Sequence, residues 1–136
     1  MNQIRAYVAH SICGKMGKDA TDEYMKANND KAILFGKNLR YHFRSIDFYV
    51  PGDHDEFVMI AYRKKLISIP DILVVDCEII NRCNFLIAYS PDGFISNGMQ
   101  VEIDYAITHD VPVLVVRSSA GKGLAAIHRY LEGLKT

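Results

Sequence analysis

Phe85-Leu86-Ile87-Ala88-Tyr89-Ser90-Pro91-Asp92-Gly93-Phe94-Ile95-Ser96-Asn97-Gly98-Met99 is the stretch that decides the architecture. Residues 85–89 are apolar without alternation, which fits a strand covered on both faces, as in a parallel sheet. Ser90-Pro91-Asp92-Gly93 is a turn signal, because Pro presets φ while Asp and Gly accept turn conformations. Ser96 or Asn97 then caps a helix of about ten residues ending near Thr108, its side-chain oxygen serving the free N–H groups of the first turn. Strand, turn and helix in this order are the opening of a βαβ unit.

The same alternation extends in both directions. Ile4 to Ala9 reads as a short buried strand that leaves through His10-Ser11-Ile12-Cys13-Gly14-Lys15, with Gly14 and Gly17 marking the turn. Asp19 or Thr21 caps a helix running to about Phe43, with a break expected near Asn28-Asn29. Ile33, Leu34, Gly36, Leu39 and Phe43 give that helix its apolar face. Ile46 to Val50 is a second strand, stopped by Pro51-Gly52, and Asp53-His54-Asp55 is a polar loop. Residues 57–67 read as a helix with a basic stripe at Arg63-Lys64-Lys65, which Pro70-Asp71 ends. Residues 71–83 fit another helix, or a strand through Ile72-Leu73-Val74-Val75. Residues 113–116 form a strand and residues 123–134 a last helix. The expectation is an α/β single domain: a doubly wound (flavodoxin- or Rossmann-like) parallel sheet of four to five strands with helices on both faces.

Bulk properties narrow the function classes. A chain of 136 residues, 49% hydrophobic and 24% charged, suits one folded domain and not a disordered one. The formal net charge is zero, so no overall field gathers nucleic acid or an anionic membrane, and neither is expected as a partner. The N-terminus does not read as a secretory signal, and no apolar run approaches a membrane span. Three cysteines, with no CxxC and no His at ligand spacing, imply reduced thiols, a cytoplasmic location and no bound metal.

Ligands of open α/β sheets bind at the carboxyl ends of the strands. The loops there are residues 10–18, 51–56 and 90–98. Ser96, Asn97 and Gly98 offer a hydroxyl, an amide and bare backbone N–H groups to an anion at a helix start; the plainer reading is an ordinary cap. Glu102 sits one turn further on, and helix side chains lean toward the N-terminus, so it is aimed at the same crevice. Glu in a first turn also simply suits the helix dipole. Asp76 is a second carboxylate, or a solvated cap. Two carboxylates suit the splitting of a glycosidic bond, one attacking the anomeric carbon and one serving the sugar or leaving group. His54 and His10 lie in crevice loops, where contact with base or phosphate competes with plain exposure. Tyr49 and Tyr89, at strand ends, fit base stacking or core packing. Cys13 has no His–Asp partner pattern and reads as loop lining.

Three blocks of the chain resemble the nucleoside 2-deoxyribosyltransferase superfamily, and within it the (deoxy)nucleoside 5'-monophosphate N-glycosidases. They are Ala6-Tyr7-Val8-Ala9-His10-Ser11-Ile12-Cys13-Gly14, then Asp76 through the strand ending at Ala88, then Ser96-Asn97-Gly98-Met99-Gln100-Val101-Glu102-Ile103-Asp104-Tyr105-Ala106. The resemblance implies that Glu102 attacks C1' to form a glycosyl-enzyme intermediate. It implies that Asp76 contacts the sugar or base and helps the leaving group, and that Tyr7 hydrogen-bonds Glu102. Ile12 and its backbone would line the base site, and Ser11, Gly14, Lys15 and His54 are counted with the substrate-binding residues. Ser96, Asn97 and Gly98 would hold the 5'-phosphate, since the transferases acting on free nucleosides place an acid where this chain has Ser96.

Where the monophosphate hydrolases carry Arg in the first loop, this chain has Cys13, with Lys15 or Lys18 to supply the charge. Residues 16–30 look like an insertion, read as a mobile lid. A Ser lent by a partner subunit has Ser118, Ser119 or Ala125 as its nearest counterparts. The resemblance further implies no cofactor, a small-molecule nucleotide substrate, and a homodimer or higher homo-oligomer. Its alternatives are a base-exchanging transferase, an NAD-cleaving enzyme and a non-catalytic nucleotide-binding protein.

Overall fold

A computed structural model describes residues 3–12, 14–118 and 121–134. The elements follow as β1 (Ile4–Ala9), a 3-10 turn (Gly14–Asp19), α1 (Asp22–His42), β2 (Ile46–Tyr49), a 3-10 turn (Pro51–His54), α2 (Asp55–Arg63), α3 (Ile69–Asn81), β3 (Phe85–Tyr89), α4 (Asn97–Thr108), β4 (Val113–Val116) and α5 (Gly121–Leu134). The four strands are parallel in the order β2-β1-β3-β4.

Period-two alternation splits the core between the two faces of the sheet. Ala6, Val8, Phe48, Phe85 and Ile87 meet Phe35 and Leu39 of α1 and Ile127 of α5. Tyr7, Ala9, Leu86 and Ala88 meet Ile80 of α3 and Met99, Ile103 and Ala106 of α4. Helices therefore cover both faces, and the fold is the doubly wound, Rossmann-like one. The chain leaves β1 toward the α1 face and leaves β3 toward the opposite face. The two loops diverge, and a crevice opens between β1 and β3 at the switch in strand order.

Three local expectations change. α1 is continuous across Asn28-Asn29. Both amides are turned to tie loops down, Asn28 Nδ2 donating to the Ile12 carbonyl at 2.9 Å and Asn29 Nδ2 to the Gly52 carbonyl at 3.4 Å. Residues 16–30 are accordingly not an open lid: they form the end of a 3-10 turn and the first turns of α1. α2 starts at Asp55 and ends at Arg63, short of residue 67, because the chain turns back through Lys65 at φ 60°.

The ambiguous 71–83 segment is helical. Ser68 and Asp71 form a reciprocal capping box, with Pro70 in the first turn where its missing N–H costs nothing. Only Ile80 of α3 is fully buried, whereas a strand threaded through this sheet would bury the whole Ile72-Leu73-Val74-Val75 run.

Candidate active site

Tyr7 lies in the middle of β1 on the α3/α4 face, fully buried. Its hydroxyl donates a hydrogen bond to Oε2 of Glu102, which extends from α4 and is only 5% exposed. Asp76, half-buried on α3, presents its carboxyl to the same hydroxyl. The three groups expected to work together are thus brought together from β1, α3 and α4.

Their electrostatics follow from burial. Desolvation pushes Glu102 up to about 8; the Tyr7 hydrogen bond pulls it back, and the Asp76 charge adds to the rise. Burial likewise lifts Asp76 to about 6, against the Tyr7 hydrogen bond. Tyr7 is raised well above its usual value by burial and then by both carboxylates, so it stays a proton donor. One phenolic proton serves two carboxyls, an arrangement that accommodates one negative charge more readily than two.

An aromatic stack leads outward from this cluster. Tyr49 lies against Tyr7 with centroids 5.6 Å apart, and His54 lies against Tyr49 at 5.0 Å. The turn carrying His54 is fixed by Arg40, which donates to the Phe48 carbonyl at 3.0 Å and pairs with Asp53 at 2.7 Å. Gly52 is required in that turn, since a Cβ there would lie 2.6 Å from Asn29 Oδ1. His54 itself is exposed. Tyr49, partly buried, packs against the core on the α3/α4 face and stacks on Tyr7 there. Tyr89 is a core residue, stacked on Phe35 at 4.1 Å.

At the start of α4, Ser96 Oγ accepts from the Met99 N–H at 3.2 Å, so Ser96 is the cap. Asn97 is exposed, and a Cβ on Gly98 would meet nothing within 4 Å. Internal packing therefore does not demand glycine at 98, and the backbone there stands open to the crevice. In the first loop, Ser11 Oγ accepts from the Gly14 N–H at 2.7 Å. Gly14 has φ +59°, and a Cβ would sit 2.8 Å from the Tyr24 hydroxyl, so only glycine closes this turn. Ile12 is 40% exposed at the rim, and Lys15 and Lys18 are exposed on the 3-10 turn. Cys13 and Ser119 lie outside the described residues. Ser118 lies two residues past β4, and Ala125 is on α5, away from the α3/α4 face.

His10 is set apart from the carboxylates. Its Nε2 accepts from the Gly52 N–H at 3.1 Å, which places the proton of the neutral ring on Nδ1. Burial lowers its pKa to about 4, against a small upward pull from the Ser11 backbone, and Nδ1 is buried without a hydrogen bond of good geometry. His10 borders a cavity of about 160 Å³ between the first loop, α1 and the loop after β3; Tyr7, Asp76 and Glu102 do not line it. Tyr24, Asn28 and Lys31 of α1 also line it. Their i, i+4, i+7 spacing was the available sequence signal for a shared face.

No family model and no curated protein matches the chain. Among solved structures it is similar to a conserved protein from Enterococcus faecalis V583, with 17% identity and a TM-score of 0.58 over 98% of this chain and 76% of that one. That likeness shows the fold. Among the described residues, no helix is long and apolar enough to cross a membrane.

Proposed function

We propose that the protein hydrolyses the N-glycosidic bond of a (deoxy)nucleoside 5'-monophosphate, releasing the free base and (deoxy)ribose 5-phosphate. The observation that carries this reading is the buried Glu102 carboxyl held on the Tyr7 hydroxyl, with Asp76 at the same point. Glu102 attacks C1' as its bond to nitrogen breaks, and the electron pair leaves with the base. Asp76, with its pKa raised to about 6, can hold the proton that the departing base takes up. Water then gives a proton to Asp76, attacks C1' and frees Glu102, so configuration is retained. The step uses no cofactor or metal.

The open N–H groups at the start of α4, with the Ser96 hydroxyl, suit a 5'-phosphate. An acidic side chain at 96 would repel it. The Tyr49–His54 stack suits the base. The reading includes a cytoplasmic homo-oligomer. In its favour, α2 exposes Phe57 and α3 exposes Ile69, Val74 and Val75, the last two adjoining Asp76 in the chain.

Incubation with a panel of 5'-monophosphates and the matching nucleosides, followed by chromatography for free base, tests the reading. Base release from monophosphates, abolished by Glu102→Ala, is the expected result. Release only from nucleosides and only with an acceptor base would make the protein a transferase. Tight nucleotide binding without release would leave a binding protein.

A further inference from the structure

The cavity on the α1 face is lined by none of Tyr7, Asp76 and Glu102, but by Ser11 and Gly14 of the first loop, which the resemblance places among the substrate-binding residues. It is built from both loops that flank the switch point, with His10 at the end of β1 and Asp92 and Phe94 after β3, and from Tyr24 and Lys31 of α1. At about 160 Å³ it is well below the ~300 Å³ at which sites for whole small ligands begin, so it suits one part of a larger ligand. Its chemistry is mixed. Tyr24 and Phe94 offer ring surfaces, Lys31 a cation, Asp92 an acceptor for hydroxyls, and His10 a buried Nδ1–H donor whose contact with the Ser11 backbone falls short of good hydrogen-bond geometry.

The wall of the cavity is well fixed. Ser90 Oγ donates to the Phe94 carbonyl at 2.9 Å, and the Phe94 N–H donates to Asp92 Oδ1 at 3.0 Å. Two residues later the same segment becomes the Ser96 cap. The cavity and the cap thus share the segment that follows β3.

We infer that the preferred substrate is a nucleotide whose 5'-phosphate is extended by a second phosphate and nucleoside, a pyrophosphate-linked dinucleotide, and that the α1-side cavity receives the distal part. The inference rests on the N-glycosidase reading above. Lys31 meets the second phosphate, and Tyr24 and Phe94 flank the distal ring. The Asp92 carboxylate accepts from distal sugar hydroxyls, and His10 Nδ1–H donates to an acceptor on the distal group. The bond chemistry is unchanged. C1'–N breaks and the base leaves with the electron pair; adenine also takes up a proton, whereas a nicotinamide departs neutral without one and the proton from the attacking water goes to solvent. Water completes the sugar, which keeps its diphosphate and distal nucleoside.

Matched pairs test this: nicotinamide mononucleotide against NAD, and adenosine 5'-monophosphate against P1,P2-diadenosine pyrophosphate, with free base measured at several concentrations. The expected result is a higher kcat/KM for the dinucleotide of a pair. The ratio of dinucleotide to mononucleotide kcat/KM should fall by about tenfold or more in Lys31→Ala and in Phe94→Ala. Because both substrates are compared on one variant, a partial folding defect cancels from the ratio. Glu102-dependent base release with no gain from the dinucleotides, or a ratio unmoved by both variants, would overturn the inference and leave the monophosphate reading standing. Absence of base release from every member of both pairs would remove that reading and this inference with it.

Discussion

Tyr7 and Glu102 are 95 positions apart in the chain, yet the phenol of one donates to the carboxyl of the other inside the α3/α4 face. A buried carboxyl held this way is oriented by its donor and is costly to ionise, and both properties carry measurable consequences.

The first is kinetic. The proposed attack needs Glu102 ionised, and burial raises it to about 8. Asp76, raised to about 6, must be protonated to serve the leaving base while Glu102 is ionised, so the kcat/KM profile should be bell-shaped, with limbs near pH 6 and pH 8. Tyr7→Phe removes the hydrogen bond that favours both anions, so both limbs should move to higher pH, with activity at neutral pH reduced by about 10²-fold. Unmoved limbs would show that Tyr7 does not tune Glu102.

The second concerns stability. Glu102 is raised from about 4.5 unfolded to about 8 folded, so between those values the native state binds more protons than the unfolded one. Its contribution is fully present below pH 4.5 and is lost as pH rises through 8. Glu102→Gln keeps an acceptor for Tyr7 and never ionises. Its melting temperature relative to the native protein should climb between pH 5 and pH 9, by several degrees if ~1–2 kcal/mol of strain is relieved. Thermal melts at the two pH values check this.

A third prediction separates site from scaffold at Gly98. A Cβ there meets nothing within 4 Å. Gly98→Ala should leave the fold intact and raise its stability by ~0.5–1 kcal/mol, the usual helix gain. The added methyl crowds a phosphate at the same N–H groups, and KM for phosphorylated substrates should rise by about tenfold. A variant with unchanged KM would place the phosphate elsewhere.

The exposed apolar residues of α2 and α3 yield a fourth. Phe57 is 78% and Val74 69% exposed, values that favour cover by a second copy over bare solvent. Light scattering should give at least a dimer mass, and Phe57→Ser with Val74→Lys should shift it to the monomer. A monomeric native protein would contradict the oligomer.

Much of this was legible in the sequence where local and global preferences agree. Residues 85–89 form the buried strand that their apolar run requires, and Ser96 was one of two caps open to α4; residues 113–116 form a strand too, but at the sheet edge, where only Val116 is buried. The 72–75 run was not, because its β-branched residues suit a strand while the Ser68–Asp71 box and Pro70 start a helix. The continuity of α1 was hidden because Asn28 and Asn29 are poor helix formers locally, and their use as ties to Ile12 and Gly52 is a tertiary fact. The Tyr7–Glu102–Asp76 cluster was reachable only through the resemblance of its three blocks, since spacing cannot show that residues on three elements converge. The α1-side cavity was missed because Tyr24 and Lys31 resemble an ordinary half-exposed helix face.

The most direct test of the central claim is the intact mass of the protein after acid quench during turnover of a cleaved nucleotide. The account predicts a population heavier by the sugar phosphate, mapped by digestion to the peptide holding Glu102 and absent in Glu102→Gln. Base release at undiminished rate in Glu102→Gln, with no adduct on the native protein, would contradict it.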